Sequence, residues 1–320
     1  MRTVLTTAGR AAASDVEAIK GCVTNARHEG LWLDIENPDA DDYRLLEETF
    51  KFHPLTIEDI QHQNQRPKVD EYPEYNFAVI FQADWQGDNV AFHEHHLFVG
   101  PEYLISVHLE PSPVLAALQD RIAKSPALTK GQPGFLTYLV IDALVDATFP
   151  VLEQIDDTVD EMEDDIVQKA APGSLDRIYH LKHSVTELRR YLGAQRDVFQ
   201  RLITHGIHLQ QQDMTLYYRD VYDHIVRQYE TVDSLRDLLT SAMDVYLSTV
   251  SNRLNQTTKA LTVIASLFLP LSFLTGFYGM NFTYLTQILE TPYLAFAVGV
   301  GTMAIATAIQ LWLFRRRGWI

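Results

Sequence analysis

Cysteine is nearly absent from the 320-residue sequence, which contains Cys22 alone. A disulfide within the chain and a metal cage of several thiolates are therefore excluded, and this composition suits a reducing compartment. Residues 1–25 lack a long apolar run, so no secretory signal peptide is predicted. Basic residues are also few: 26 Lys and Arg accompany 42 Asp and Glu, for a formal net charge of −16. An acidic surface repels phosphate, which argues against nucleic acid as a partner.

The motifs of the common catalytic sites are missing as well. The sequence contains no P-loop, no nucleophile elbow and no protein-kinase signature. We therefore expect neither an enzyme nor a bound organic cofactor.

Charged residues almost disappear near the end of the sequence. Residues 260–320 contain only Glu290, Arg315, Arg316 and Arg317, a net of +2, which leaves −18 on residues 1–259. A helix needs about 20 apolar residues to cross a bilayer. The uncharged stretches therefore predict a first transmembrane helix over 259–280 and a second over 293–314. The loop between them, 281–292, is too short for a domain, so the two helices should form a hairpin.

The basic residues set the expected orientation of this hairpin. Arg253 and Lys259 precede the first span, a basic tail over 315–320 follows the second, and the loop contains no Lys or Arg. Because basic residues stay on the cytoplasmic side, both termini should be cytoplasmic and the loop external. The sequence therefore predicts a multi-pass protein of the plasma (inner) membrane, embedded in the lipid bilayer, with its acidic body in the cytosol.

The first part of the body, 1–145, is predicted to be a cytoplasmic α/β domain. Strands are indicated at 30–35 and 75–81, and a hairpin at 90–99 and 103–109, because apolar and β-branched residues alternate between turn signals. Helices are indicated at 41–52 and 56–61. The order of the strands in the sheet does not follow from the sequence.

The region 146–258 is predicted to contain long helices, including the stalk of the first membrane helix. Ile155, Val159, Met162 and Ile166 form an apolar stripe among eight carboxylates, which are either a solvated face or a rim that attracts cations. Ser174 should cap a second helix that ends near 202. The last helix should run from about 214 to 278, because this stretch contains no proline before Pro270 and no glycine before Gly276.

One face of this last helix is unusually polar. We call it the polar seam; at spacings of four and three it contains Asp237, Ser241, Asp244, Ser248, Ser251, Asn255, Thr258, Thr262, Ala265, Leu269, Ser272 and Gly276. A coiled coil would place apolar residues at such positions. Small residues can serve helix packing in a membrane, whereas polar ones favour a water-filled path enclosed by several subunits. The seam has no positive charge, and its oxygen atoms suit a hard cation such as Mg²⁺.

The histidines of the sequence His93-Glu94-His95-His96 are a second candidate for metal binding. On a strand, His93 and His95 share one face, whereas Glu94 and His96 share the other. Two histidines do not close a zinc site, so a solvent-facing strand surface is the favoured interpretation.

The end of the first span contains the sequence YGMNF at residues 278–282, followed by a short loop, a second span and a basic end. This arrangement resembles the CorA family of magnesium and cobalt transporters, and further similar stretches follow in order over nearly the whole chain. They are HPL at 53–55 with ED at 58–59, QRPKV at 65–69, IDALVD at 141–146, RDVYDH at 219–224 and DVYLS at 244–248.

The resemblance implies a funnel-shaped homopentamer that takes up Mg²⁺, with Co²⁺ and Ni²⁺ as further permeants. Gly279, Met280 and Asn281 would form the external selectivity ring. Together with the seam, the resemblance places these residues along the pore: Asp244, Asn255, Thr258, Leu261, Thr262, Ala265, Leu269, Ser272 and Gly276. Leu261 and Leu269 would be hydrophobic constrictions that gate by dewetting.

The resemblance also implies regulatory Mg²⁺ sites between neighbouring cytoplasmic domains. Glu58 or Asp59 would pair there with Asp220, and Asp142 is a further candidate. Bound intracellular Mg²⁺ would hold the closed pentamer together. Two alternatives stay open: a Zn²⁺ transporter of the ZntB type, and a membrane-anchored sensor or scaffold that conducts nothing.

Overall fold

The computed structural model describes residues 1–7, 9–10, 30–63, 65–87, 89–168, 171–205, 214–280 and 291–319. The chain divides into two compact units, Met1–Met243 and Asp244–Ile320. The predicted boundaries at 145/146 and 258/259 stay predictions.

Within the part of the first unit that the structure describes, seven β-strands form one sheet. Their bounds are Arg2–Thr6 (β1), Gly9–Arg10 (β2), Leu31–Glu36 (β3), Lys68–Glu71 (β4), Asn76–Gln86 (β5), Asn89–Val99 (β6) and Tyr103–His108 (β7). The order across the sheet is β2-β1-β3-β7-β6-β5-β4, with β3 and β7 parallel and the other neighbours antiparallel. The predicted strands and the β6–β7 hairpin are confirmed, although β5 continues to Gln86.

The two faces of this sheet differ in chemistry. One face carries an apolar core that includes Phe77 and Phe98. Because side chains alternate along a strand, the residues between the core positions point to the opposite face. There the buried Asp34 accepts hydrogen bonds from Ser106 Oγ at 2.5 Å and from Gln119 Nε2 at 2.7 Å. Both faces are therefore buried. The second face also contains the buried Trp32, Leu97 and Leu104 beside this hydrogen-bonded network, and we call it the polar face.

Six α-helices of the described residues lie wholly in the first unit. They are Ala40–Arg44 (α1), Pro54–His62 (α2), Pro113–Lys124 (α3), Pro133–Asp146 (α4), Thr148–Gln168 (α5) and Pro172–His205 (α6). The helix predicted at 41–52 is shorter, because α1 passes into a π-helical turn, Leu45–Thr49. The predicted cap at Ser174 is wrong, since α6 begins at Pro172; proline suits the first turn, where its missing N–H would have no partner.

The apolar stripe of α5 is confirmed as a buried face. Ile155, Val159, Met162 and Ile166 are all buried in the first unit, whereas the carboxylates between them are mostly exposed. By length and composition, Pro133–Val167 could cross a membrane, but 61% of its most apolar window is buried inside the protein. This apolar segment is therefore part of the core.

Two long apolar helices contribute to the second unit. The helix Thr215–Tyr278 (α7) has the predicted bounds of about 214 to 278, and it begins in the first unit and ends in the second. The helix Pro292–Arg316 is α8. Their apolar windows are only 6% and 0% buried. Within this unit, side-chain hydrogen bonds join Lys259 to Gly318, Ser266 to Gln310 and Tyr278 to Thr302. From the earliest to the latest of these residues of α7, the partners move from Gly318 back to Thr302, so the two helices run antiparallel.

Candidate metal cluster and polar seam

A candidate metal cluster lies on two helices of the first unit. Asp142 and Asp146 are one turn apart on α4, and His224 lies on α7. One ligand atom from each residue lies within 4.8 Å of the other two, and His224 Nδ1 is 2.7 Å from Asp146 Oδ1. Carboxylate and imidazole ligands at this separation suit a divalent cation. Among the described residues, this is the one group of three with such geometry.

Asp142 is the least favourably solvated carboxylate of the cluster. Its Oδ1 is buried and has no hydrogen-bond partner. Burial, followed by repulsion from Asp146, raises the pKa of Asp142 to about 6. A cation between the two carboxylates would relieve both effects, because it supplies the opposite charge that burial makes necessary.

Asp220 is joined to this cluster through a tyrosine. Tyr138 OH donates a hydrogen bond to Asp220 Oδ2 at 3.2 Å, and Tyr138 precedes Asp142 by one turn of α4. Burial and the nearby carboxylates raise the pKa of Tyr138, so its hydroxyl stays a donor. Asp142 and Asp220 are both predicted as regulatory ligands. Asp142 is a member of the cluster, and Asp220 lies near it through the hydrogen bond with Tyr138.

Glu58 and Asp59 lie on α2, and Asp59 pairs with Lys68 rather than with a residue of the metal cluster. Lys68 Nζ is 2.7 Å from Asp59 Oδ2 and 3.0 Å from Asp70 Oδ2. Glu58, at the preceding position of α2, is exposed. Asp59 already has an ammonium partner, and its pairing with Asp220 of a neighbouring chain stays a prediction.

Asp146 and His224 are ligand candidates that sequence reasoning missed. A sequence signal for them exists, because Asp142 and Asp146 have the i, i+4 spacing that places two side chains on one helix face. Asp220 and His224 have the same spacing. What the sequence does not contain is the contact between the two helices that brings the pairs together.

The polar seam is exposed throughout the second unit. Asp244 to Gly276 contribute ten seam residues, and every one of them is exposed in the single chain, as is Leu261. The face of α7 that contacts α8 includes Lys259, Ser266 and Tyr278, which are only partly exposed. At 100° per residue, the average direction of these ten seam residues lies about 100° around α7 from the average direction of Lys259, Ser266 and Tyr278. The seam and the contact with α8 therefore lie on different sides of the helix.

The predicted selectivity residues begin just after α7 ends. Gly279 N donates to the backbone oxygen of Thr275 at 3.0 Å, and a Cβ at Gly279 would lie only 3.1 Å from that oxygen. A side chain at this position would therefore crowd the last turn of α7, which glycine avoids. Met280 is about half exposed, and Asn281 lies outside the described residues.

The histidines of β6 correct a sequence prediction. His95 and His96 are each only 1% exposed, so the expected solvent-facing strand surface is wrong. His95 lies on the polar face of the sheet, near Gln82, whereas His96 stacks on Phe77 at 5.9 Å between ring centroids. Helices cover both faces of this sheet, which strand alternation alone does not reveal.

Comparison with known proteins extends these observations over nearly the whole chain. Residues 28–316 match the family model of the CorA-like Mg²⁺ transporter protein. The cobalt/magnesium transport protein CorA of Thermotoga maritima is 32% identical over 293 residues, 90% of this chain and 83% of that protein. The CorA magnesium transporter of Methanocaldococcus jannaschii has a similar fold, with a TM-score of 0.80 over 91% of this chain and 92% of that chain, at 22% identity. The ZntB cytoplasmic domain of Vibrio parahaemolyticus matches with a TM-score of 0.56 over 70% of this chain and 88% of that domain, at 18% identity.

The family model and the Thermotoga maritima relative define the class as membrane transport proteins for divalent cations. The α/β domain, the long helices and the exposed apolar C-terminal helices agree with the fold of the solved archaeal structure. Within that class, the chain belongs to the CorA-like Mg²⁺ transporter family. The resemblance predicted from the YGMNF sequence is therefore confirmed. This family consists of transporters and not of enzymes.

Proposed function

We propose that this chain assembles into a homopentamer that carries Mg²⁺ into the cell along the polar seams of five α7 helices. One observation carries the proposal: the seam is exposed on the side of α7 that α8 does not contact. Polar side chains on a membrane helix avoid lipid and face either other helices or water. Within one chain nothing of the described residues covers the seam, so further copies would have to do so.

Five copies is the number that the family resemblance implies, and the geometry is compatible with a closed ring. Closed rings form when the same surface of each copy contacts the next one around an axis. The antiparallel contacts between α7 and α8 support a hairpin in which α7 is nearer the axis and α8 nearer the lipid. Arg315, Arg316 and Arg317 at the end of α8 support a cytoplasmic location for both termini in the plasma membrane.

The chemistry of the seam supports a hydrated hard cation as the substrate. Between Asp244 and Gly276 the seam offers hydroxyl, amide and carboxylate oxygens and no positive charge. Mg²⁺ gives up its water ligands reluctantly, so a pore that contacts those waters avoids most of the dehydration cost. In this proposal Gly279, Met280 and Asn281 form the outer selectivity ring, and Leu261 and Leu269 form the gates. Co²⁺ and Ni²⁺ are further permeants.

The metal cluster supports a regulatory role for cytosolic Mg²⁺. Asp142, Asp146 and His224 would bind the ion, with Asp220 beside them and Asp59 or Glu58 supplied by a neighbouring chain. The ion would neutralise carboxylates that otherwise repel one another. High cytosolic Mg²⁺ would thus hold the pentamer closed, and its loss would open the pore.

Uptake by protein reconstituted in liposomes tests this proposal. Mg²⁺ should enter the vesicles, and Asn281→Ala should abolish entry. His183→Ala, a change on an exposed residue of α6, should leave uptake intact. Unchanged flux in Asn281→Ala would overturn the assignment of the selectivity ring. A preference for Zn²⁺ in competition would favour the ZntB-type alternative, and an absence of flux in the unaltered protein would favour a non-conducting scaffold.

A further inference from the structure

A cavity of about 390 Å³ lies against the polar face of the sheet, separate from the metal cluster. Its walls come from β5, β6, the start of α3 and the junction of α4 with α5. The polar side chains that line it are Gln82, Asp84, His93, His95, Glu110, Ser112 and Gln154. Two imidazoles and two carboxylates therefore share one cavity in the first unit.

The contacts of His93 leave one of its ring nitrogens available. His93 Nδ1 is 2.7 Å from Glu110 Oε2, and because a carboxylate only accepts, Nδ1 carries the proton. In the neutral ring, Nε2 then keeps its lone pair. Metal-binding histidines typically donate their second N–H to a carboxylate in this way, which fixes both the tautomer and the ring orientation.

The available nitrogen of His93 faces a second carboxylate. His93 Nε2 is 3.9 Å from Asp84 Oδ2, which is too long for a hydrogen bond. Two ligands of one tetrahedral ion lie about 3.4 Å apart when each is about 2.1 Å from the metal. Since the Asp84 side chain is 52% exposed, a small rotation would close this difference.

His95 adds a second imidazole to the cavity wall. It lies two residues along β6 on the same sheet face, and its Nε2 is 3.2 Å from Gln82 Oε1. The amide oxygen accepts, so the proton is on Nε2, and the buried Nδ1 has no hydrogen-bond partner. Burial lowers the pKa of His95 well below its usual value and keeps the ring neutral.

We propose that this cavity binds a divalent transition-metal ion, Zn²⁺, Co²⁺ or Ni²⁺, through His93 Nε2 and Asp84, with water completing the shell. Glu110 is the residue that positions His93. Imidazole ligands favour these ions over Mg²⁺, which prefers oxygen. The site is therefore chemically distinct from the oxygen-rich seam, and its existence does not depend on the proposed transport function.

Metal binding to the full-length protein in detergent, in a large excess of Mg²⁺, tests this site. Mg²⁺ occupies oxygen sites, so Zn²⁺ retained in equilibrium dialysis and visible absorption by bound Co²⁺ report sites with a nitrogen ligand. The cluster with His224 is also of this kind, so the cavity site is identified by the ion that its own variants remove. His93→Ala and the more conservative Asp84→Asn should each remove one bound ion per chain. Glu110→Gln should weaken binding by about 10- to 100-fold, the usual cost of losing the residue that orients a ligand. The matched control is His183→Ala, whose imidazole lies outside the cavity.

The outcomes separate this proposal from the transport proposal. Loss of the ion in His93→Ala and Asp84→Asn, with unchanged far-ultraviolet circular dichroism and unchanged Mg²⁺ uptake, supports the site. Undiminished Zn²⁺ and Co²⁺ binding in both variants would overturn it, whatever the uptake assays give. An equal loss in His183→Ala would also overturn it, because binding would then not depend on the cavity.

Discussion

Gln310 of α8 donates a hydrogen bond through Nε2 to the backbone oxygen of Ser266 on α7, at 2.8 Å. In a regular helix that oxygen would accept from the N–H four residues later, which here belongs to Pro270 and is missing. The side chain of a neighbouring helix therefore satisfies the carbonyl that the proline leaves unpaired. Neighbouring helices are one of the means by which membrane helices tolerate proline.

This relationship predicts a non-additive pair of substitutions. Gln310→Leu should destabilise the protein by about 1–3 kcal/mol, the usual cost of a buried polar group without a partner. Pro270→Ala restores a backbone N–H for Ser266, so Gln310→Leu should cost much less in the Pro270→Ala background. A double-mutant cycle of thermal unfolding in detergent measures this coupling. Equal costs in both backgrounds would contradict the assigned hydrogen bond.

Asp142→Asn should change stability in opposite directions with and without metal. Without Mg²⁺ the variant should unfold at a higher temperature, because a buried and repelled charge is removed. With Mg²⁺ at about 100 times its dissociation constant, the unaltered protein should gain about 2.7 kcal/mol, and the variant should gain little. Melting curves with and without Mg²⁺ provide the measurement. The control Asp156→Asn, on the exposed face of α5, should keep the full gain; a full gain in Asp142→Asn would exclude it as a ligand.

Lys68 should compete with Mg²⁺ for Asp59. The ammonium occupies the position that a cation would take, at 2.7 Å from the carboxylate. Bound Mg²⁺ should protect the chain from protease, because it holds the proposed pentamer closed. Lys68→Gln should lower, by severalfold, the Mg²⁺ concentration that this protection requires. Lys124→Gln at the end of α3 provides a charge-matched control. If Lys68→Gln raised the required concentration, Lys68 would support the site instead of competing for it.

His96 should make the first unit sensitive to acid. Burial lowers the pKa of His96 to about 4, although nearby Asp59 acts in the opposite direction and Lys68 in the same one; Glu94 lies 3.7 Å away. In the unfolded chain the His96 side chain takes up a proton near pH 6.5, whereas in the folded chain it does so only near pH 4. The free energy of unfolding therefore falls as the pH is lowered from about 6.5 towards 4. The loss amounts to about 3 kcal/mol at most.

Removing this titration is the corresponding test. His96→Leu should reduce the fall in unfolding free energy between about pH 6.5 and pH 4.5 relative to the unaltered protein. Denaturant titrations at several pH values measure that difference. Identical pH dependence in the two proteins would contradict this account, because it would mean that the pKa of His96 is the same in the folded and the unfolded chain.

The local parts of the fold could be predicted from the sequence, and the long-range ones could not. The apolar stripe of Ile155 and Val159 and the long uninterrupted α7 are properties of neighbouring residues, so periodicity and the positions of proline indicate them. The sheet order and the contact of Asp146 with His224 join segments far apart in the chain, and local patterns do not encode such contacts. The burial of His95 and His96 was missed for the same reason, because it depends on helices distant in sequence.

The central claim is that the polar seam faces the path of the ion, and cysteine accessibility tests it most directly. In a Cys22→Ser background, Thr262→Cys and Ser272→Cys place a thiol on the seam, whereas Ile264→Cys places one on another exposed face of α7, about 160° around the helix from Thr262. A water-soluble thiol reagent should react with the seam positions and block Mg²⁺ uptake into liposomes, with little reaction and no block at Ile264. Equal reactivity on both faces, or block only at Ile264, would contradict the account.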